Sequence, residues 1–140
     1  MASMNTVSLL AGIVVVGFAA FLIGLAIVCA CDRTRAERFL RAFASSARTH
    51  YAEQVLRLVV GVSIARSSEF MWLSEAFRIF GWVVVGSTLV LLVIPWRWHH
   101  AFAARVMPPV YRRLGLFALA SATLGVCVLL AVFRGVIGGV

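Results

Sequence analysis

Long runs of apolar residues alternate with short arginine-rich segments along this chain. Three of these runs, at about 7–30, 78–96 and 114–133, are almost free of charged side chains. A helix needs about 20 apolar residues to cross roughly 30 Å of hydrocarbon. The pattern therefore predicts a membrane span in each of these three segments.

A further apolar segment, residues 51–66, follows His50 and carries two charges near its start. Glu53 and Arg57 are four residues apart with the acid first, which is the favourable order for an ion pair on one helix face. Arginine is also long enough to reach back toward the headgroups. We therefore predict a second span at 51–66 with an intramembrane pair between Glu53 and Arg57. The alternative is a segment that dips into the membrane without crossing, which leaves three spans.

Composition agrees with a membrane protein, because 63% of the residues are hydrophobic and only 13% are charged. Soluble domains have about 25% charged residues. A chain of 140 residues is long enough for several spans but for only one compact bundle. The predicted fold is all-α: an integral membrane four-helix bundle forming a single domain over residues 1–140, with an amphipathic interfacial helix after the first span.

The first basic connector, residues 32–50, has the pattern of an amphipathic helix. Phe39 and Leu40 fall on one helical face, whereas the arginines fall largely on others. This predicts a helix along the membrane surface, where arginines attract anionic headgroups. A solvated cytoplasmic connector is the alternative. The spacing Thr34-x-x-Glu37 indicates a capping box at the start of this helix.

The second basic connector, residues 97–113, follows Pro95 and Trp96 and contains Trp98. Pro95 should end or kink the third span, and tryptophans are enriched where a helix leaves the membrane. Pro108 and Pro109 are expected to interrupt the connector. The side chains predicted to lie at the lipid interface in the two connectors are Arg35, Arg38, Arg41, Trp96, Arg97 and Trp98.

The basic residues predict an orientation. All 13 are arginines, the net charge is +8, and most lie in the two connectors. Cytoplasmic loops of membrane proteins carry an excess of basic residues. Four spans place both connectors on the cytoplasmic side of a bacterial inner membrane, with both termini outside. Because this rule accounts for the charge, we expect no nucleic-acid partner.

Candidate chemistry is sparse. The cysteines, Cys29, Cys31 and Cys127, do not form a C-x-x-C pair and are interpreted as small hydrophobic residues. The histidines, His50, His99 and His100, do not complete a set of metal ligands. Nucleophile-elbow, phosphate-loop and zinc-protease motifs do not occur in the sequence. We therefore expect no cofactor and no metal and favour a non-catalytic role, with an enzyme that acts on lipids and uses His99 or His100 as a base as an alternative.

Small residues spaced four apart predict close contacts between helices, because in lipid they let two backbones approach. Such spacing occurs in the first, second and fourth spans. The predicted helix-packing residues are Ala20, Gly24, Gly61, Ala65, Ala118, Ser121, Ala122 and Gly125.

These patterns favour a non-catalytic accessory, assembly or scaffold subunit of a larger inner-membrane complex. Its partners would be the lipid bilayer and either other membrane subunits or further copies of the chain. The alternative is a small oligomeric transporter or ion-conducting protein in which Glu53 exchanges a proton and Arg57 tunes its affinity. The two hypotheses share the same topology.

The topology is testable by cysteine labelling after the native cysteines are replaced. Single cysteines at Ser45 and Ala103 should be shielded from a membrane-impermeant thiol reagent in intact cells, whereas one at Ser68 should react. Moving arginines across a bilayer is costly, about 2.5–3.5 kcal/mol for one at a helix centre. Labelling that places Ser45 and Ala103 on opposite sides would show that residues 51–66 do not cross.

Overall fold

A computed structural model describes residues 5–43 and 46–138, and within them the chain is entirely helical. This confirms the all-α prediction. The short segment Ser68–Phe70 is a 3-10 helix. The helices of the described part are α1 (Thr6–Cys31), α2 (Arg33–Phe43), α3 (Ala47–Ser67), α4 (Ser74–Val93), α5 (Trp96–Arg112) and α6 (Leu114–Gly138).

Three of these helices, α1, α4 and α6, are long and apolar enough to cross a membrane. The chain is therefore a membrane protein with transmembrane helices, as its composition predicts. The fourth predicted span corresponds to α3, whose 21 residues are long enough for a span, but α3 is not among the helices that are apolar enough to cross by composition, so the four-helix bundle stays a prediction. Helix α3 is more charged than the other three, because Arg48 and Arg66 flank Glu53 and Arg57.

Local capping determines where the helices begin. α3 starts at Ala47 because Ser46 forms a capping box with Thr49: the Thr49 N–H donates to Ser46 Oγ at 3.2 Å. The capping box predicted at Thr34 and Glu37 is wrong. The side chain of Asp32 accepts instead from the Arg35 N–H at 2.9 Å.

The two prolines of the second connector do not interrupt it, which corrects the prediction. α5 runs without a break from Trp96 to Arg112, with Pro108 and Pro109 inside it. Each proline removes a helical N–H donor and leaves a carbonyl one turn earlier without its usual partner. Because the surrounding residues, such as Ala104 and Arg105, are exposed, solvent can satisfy those carbonyls. Pro95, by contrast, lies just beyond the end of α4 at Val93, as expected.

The long helices pack through a shared interior. The most extensive helix–helix packing joins α6 to α1, α3 to α4, and α1 to α3. The α4 side chains Phe77 and Phe80 reach the same interior. Its buried cluster contains Val15 and Ala19 of α1, Val60 and Ile64 of α3, Met71 of the following turn, and Val128 and Ala131 of α6.

The turn before α4 is held against α6. The Trp72 N–H donates to the Ala131 carbonyl at 2.9 Å, and Met71 is buried. Gly135 lies directly against the Phe70 carbonyl, at a separation that leaves no room for a Cβ atom. Leu73 has φ 62°, a left-handed conformation that costs a non-glycine residue roughly 1–2 kcal/mol. This docking compensates for that strain.

The two arginine-rich connectors meet at the opposite end. Arg33 Nη2 donates to the Tyr111 carbonyl at 2.7 Å, and the Arg41 guanidinium lies 4.9 Å from the centre of the Tyr111 ring. Below them, α2 folds back along α1, where the rings of Phe21 and Phe39 are 6.2 Å apart. Of the labelling positions, Ser45 lies outside the described residues. Ser68 is only 3% exposed, so the neighbouring exposed Glu69 is the better reporter.

Gly81→Ala should destabilise the protein, because the added Cβ would lie 2.6 Å from the Ala65 nitrogen and 2.8 Å from the Gly61 carbonyl oxygen. Overpacking of this kind costs about 1–3 kcal/mol, measurable as a lower Tm in mild detergent. Gly86→Ala in the same helix is the control, since nothing lies within 4 Å of its added Cβ. Equal thermal shifts in the two variants would contradict this account of the α3–α4 contact.

Candidate functional site

Helix α3 buries several of its uncharged polar side chains and exposes several of its apolar ones. His50 is 2% exposed and Gln54 is 0% exposed, whereas Val55 and Leu56 are 58% and 55% exposed. Ser63 and Ser67, further along the helix, are also buried. A helix on the surface of a soluble protein shows the reverse pattern. The arrangement suits a helix whose outer surface faces hydrocarbon, because polar groups in a membrane face the protein interior.

Glu53 and Arg57 lie between the buried and the exposed surfaces of α3. The distance from Arg57 Nη1 to Glu53 Oε1 is 3.8 Å, which is long for an ion pair. The side chain of Glu53 is 27% exposed and that of Arg57 is 40% exposed. The pair is therefore accessible from outside the helix bundle.

A second acid–base pair, Glu75 and Arg78 near the start of α4, is a useful comparison. Its closest nitrogen and oxygen atoms are 2.7 Å apart, and both side chains are more than half exposed. It belongs to the first turns of its helix, where water or headgroups can solvate it. Arg57 lies ten residues after Ala47, the first residue of α3, which is about 15 Å along the helix.

Gln54 is a buried amide beside the ion pair. Neither its nitrogen nor its oxygen has a hydrogen-bond partner among the described residues. An unsatisfied buried polar group costs about 1–3 kcal/mol and calls for an explanation. The neighbouring His50 is also buried and contacts Tyr51, with the two ring centres 5.2 Å apart. The first half of α3 thus places the Glu53 carboxylate, the Arg57 guanidinium and the buried Gln54 amide close together.

The predicted lipid-interface residues lie at the arginine-rich end. Arg35, Arg38 and Arg41 are exposed on α2. Arg97 and Trp98 are exposed at the start of α5, where Trp98 is 74% exposed. The side chain of Trp96 lies outside the described part of the structure. The contact of these residues with lipid remains a prediction.

The small-residue pairs fall into two groups. Gly61 and Ala65 face Gly81 of α4, and a Cβ on Gly125 would lie 2.9 Å from the Ala19 carbonyl oxygen of α1. Ala118 and Ser121 are buried and Ala122 is half-buried on the same helix. The pair Ala20 and Gly24 is exposed, and nothing lies within 4 Å of a Cβ on Gly24. No part of the described chain therefore packs closely against Gly24.

Two close-contact glycines escaped the sequence analysis. Gly81 has Phe77 and Val85 four residues away, so a search for paired small residues does not detect it. Gly135 is different, because Ala131 precedes it at the correct spacing. The sequence therefore contains this small-residue spacing, but Gly135 lies beyond Phe133, the predicted end of the last span.

The described residues contain no group of three or more histidines, cysteines or acidic residues that could hold a metal ion. The side chain of His99 lies outside the described residues. Cys29 is buried, whereas Cys31 and Cys127 are exposed, and all three are free thiols.

The site thus belongs to an all-helical integral membrane protein with charged and amide side chains at the start of one helix. No protein-family model, curated protein or solved structure matches the chain.

Proposed function

We propose that the protein is a non-catalytic accessory, assembly or scaffold subunit of a larger complex in a bacterial inner membrane. In this proposal α1, α3, α4 and α6 all cross the membrane as a four-helix bundle. Both arginine-rich connectors are cytoplasmic, in keeping with the positive-inside rule, and both termini lie outside.

The burial pattern of α3 supports its assignment as the fourth span. Val59 and Val62 are among its exposed side chains, while Gln54 and Ser63 are buried. In water this arrangement would expose apolar surface and bury polar groups, and both are unfavourable. In a bilayer the same arrangement is favourable.

The observation that carries the proposal is the partly exposed pair of Glu53 and Arg57. Charged groups within membranes are rarely left facing lipid and generally pair within protein. Here the pair is separated by 3.8 Å and is accessible from outside the bundle. A polar side chain of another membrane subunit, packed against Val55 and Leu56, would complete its hydrogen bonding and cover it.

A photo-crosslinking amino acid at Leu56 should capture the partner in native membranes as one discrete larger product. Leu119, which is also exposed but lies on α6, is the control position and should give no such product. Glu53→Gln and Arg57→Gln should each reduce the Leu56 product about tenfold or more, because the complex loses a charge-assisted hydrogen bond worth about 1.5–3 kcal/mol.

The variants Glu75→Gln and Arg78→Gln are matched charge controls at the other acid–base pair, and they should leave the product unchanged. Recovery of the protein solely as an isolated monomer after gentle detergent extraction, with no product at Leu56, would overturn the proposal.

A small oligomeric transporter or ion-conducting protein is the second candidate. It is favoured by the buried Gln54 amide, which has no described partner and lies next to Glu53. Such an amide can bind a polar solute, and Glu53 can exchange a proton if movement of the helix separates it from Arg57. The same three side chains would then form part of a transport path.

In this second case Glu53→Gln and Gln54→Leu should each abolish proton-coupled uptake in proteoliposomes, whereas Glu75→Gln should not affect it. Gln54→Leu should fold at least as stably as the parent protein, since it removes a buried amide without a described partner. Uptake that is unchanged by Glu53→Gln would exclude this mechanism.

A further inference from the structure

A groove of about 580 Å³ runs between α1 and α2 on the outer surface of the protein. Its volume lies within the roughly 300–1,000 Å³ range of small-molecule sites. One wall is the exposed face of α1, and the other is the inner face of the folded-back α2. The lining residues are Phe21, Gly24, Leu25, Val28, Arg35, Arg38, Phe39 and Ala42.

The wall formed by α1 is apolar and has a notch. Gly24 has no side chain, and nothing lies within 4 Å of the position of a Cβ. The contact between Phe21 and Phe39 joins the two helices beside this notch. Along α1 the groove extends from Phe21 to Val28, about 10 Å at 1.5 Å per residue. The flanking Ile27 is 57% exposed, so the groove is continuous with the apolar outer surface of α1.

The wall formed by α2 contributes the stems of two arginines, whose guanidinium groups lie at the rim of the apolar groove. Arg35 lines the groove and binds Asp32, with Nε and Oδ2 2.9 Å apart. Arg38 lines it too, and among the described residues no carboxylate lies within ion-pair distance of Arg38. Glu37 is directed instead to Arg33 and Arg41. An apolar channel therefore adjoins a guanidinium that is available to bind an anion.

We propose that this groove binds one anionic phospholipid. An acyl chain lies against the notch at Gly24, and the phosphate is held by Arg38 with help from Arg35. Guanidinium groups match phosphate oxygens through two parallel hydrogen bonds. A free phosphate would use only the arginines, and an acidic peptide would leave the apolar wall uncovered. A phospholipid satisfies both walls and reaches the groove without leaving the bilayer.

The test is native mass spectrometry of the delipidated protein in mild detergent, titrated with phosphatidylglycerol or with phosphatidylcholine. The parent protein should bind the first phosphatidylglycerol more tightly than the first phosphatidylcholine. Arg38→Gln should weaken phosphatidylglycerol binding about fivefold, the effect of one arginine on an anionic headgroup. Gly24→Leu, which fills the notch and keeps both arginines, should weaken binding by a similar factor.

Two controls separate a defined site from general attraction. Arg105→Gln removes one exposed arginine from α5, and Gly17→Leu adds the same side chain two turns earlier on the same face of α1, where nothing lies within 4 Å. Both should bind phosphatidylglycerol as the parent does. Circular dichroism should show the same helix content in all four variants.

Three results would each overturn the proposal. The first is equal affinity for the two lipids, which would indicate a purely apolar groove. The second is an equal loss in Arg38→Gln and Arg105→Gln, which would indicate diffuse charge attraction. The third is competition by soluble glycerol phosphate at the concentration that suffices for phosphatidylglycerol, which would indicate an anion site that needs no acyl chain.

Discussion

The close backbone contact between α3 and α4 determines which side chains of α3 face the interior of the protein. Gly61 and Gly81 bring the two helices so close that a Cβ on Gly81 would overlap the Gly61 carbonyl and the Ala65 amide. In lipid there is little hydrophobic drive for helices to associate, so close packing of this kind supplies much of the attraction. It fixes the rotation of α3, and that rotation turns Gln54 inward and Val55 outward.

On several helices, small or polar side chains face the interior of the protein while large apolar side chains face outward. On α6, for example, Ser121 and Gly125 are buried while Leu119 and Leu130 are exposed. The same division on α3 places its charged pair at a boundary where neither the interior nor the apolar surface satisfies it fully. The rotation of α3 that packs it against α4 is therefore also the rotation that leaves Glu53 and Arg57 partly exposed.

Run length and hydropathy sufficed to predict α1, α4 and α6, because a span needs a minimum number of uncharged residues. They predicted α3 as a span but kept a non-crossing alternative, because its charges interrupt the run and run length does not show which face of the helix they occupy. The course of α2 was also beyond prediction. Periodicity identified its apolar face, but the contact of Phe39 with Phe21 depends on a chain reversal at Asp32 that periodicity does not encode. Gly81 was missed for a related reason, since its small partners lie on another helix.

The hydrogen bond from the Trp72 amide to the Ala131 carbonyl has a consequence for biogenesis. It joins the turn between α3 and α4 to a helix that the ribosome makes about sixty residues later. Until α6 enters the membrane, the strained Leu73 and the side chain of Met71 lack the surface that buries and restrains them. The turn before α4 can therefore reach its packed conformation only after most of α6 has been synthesised.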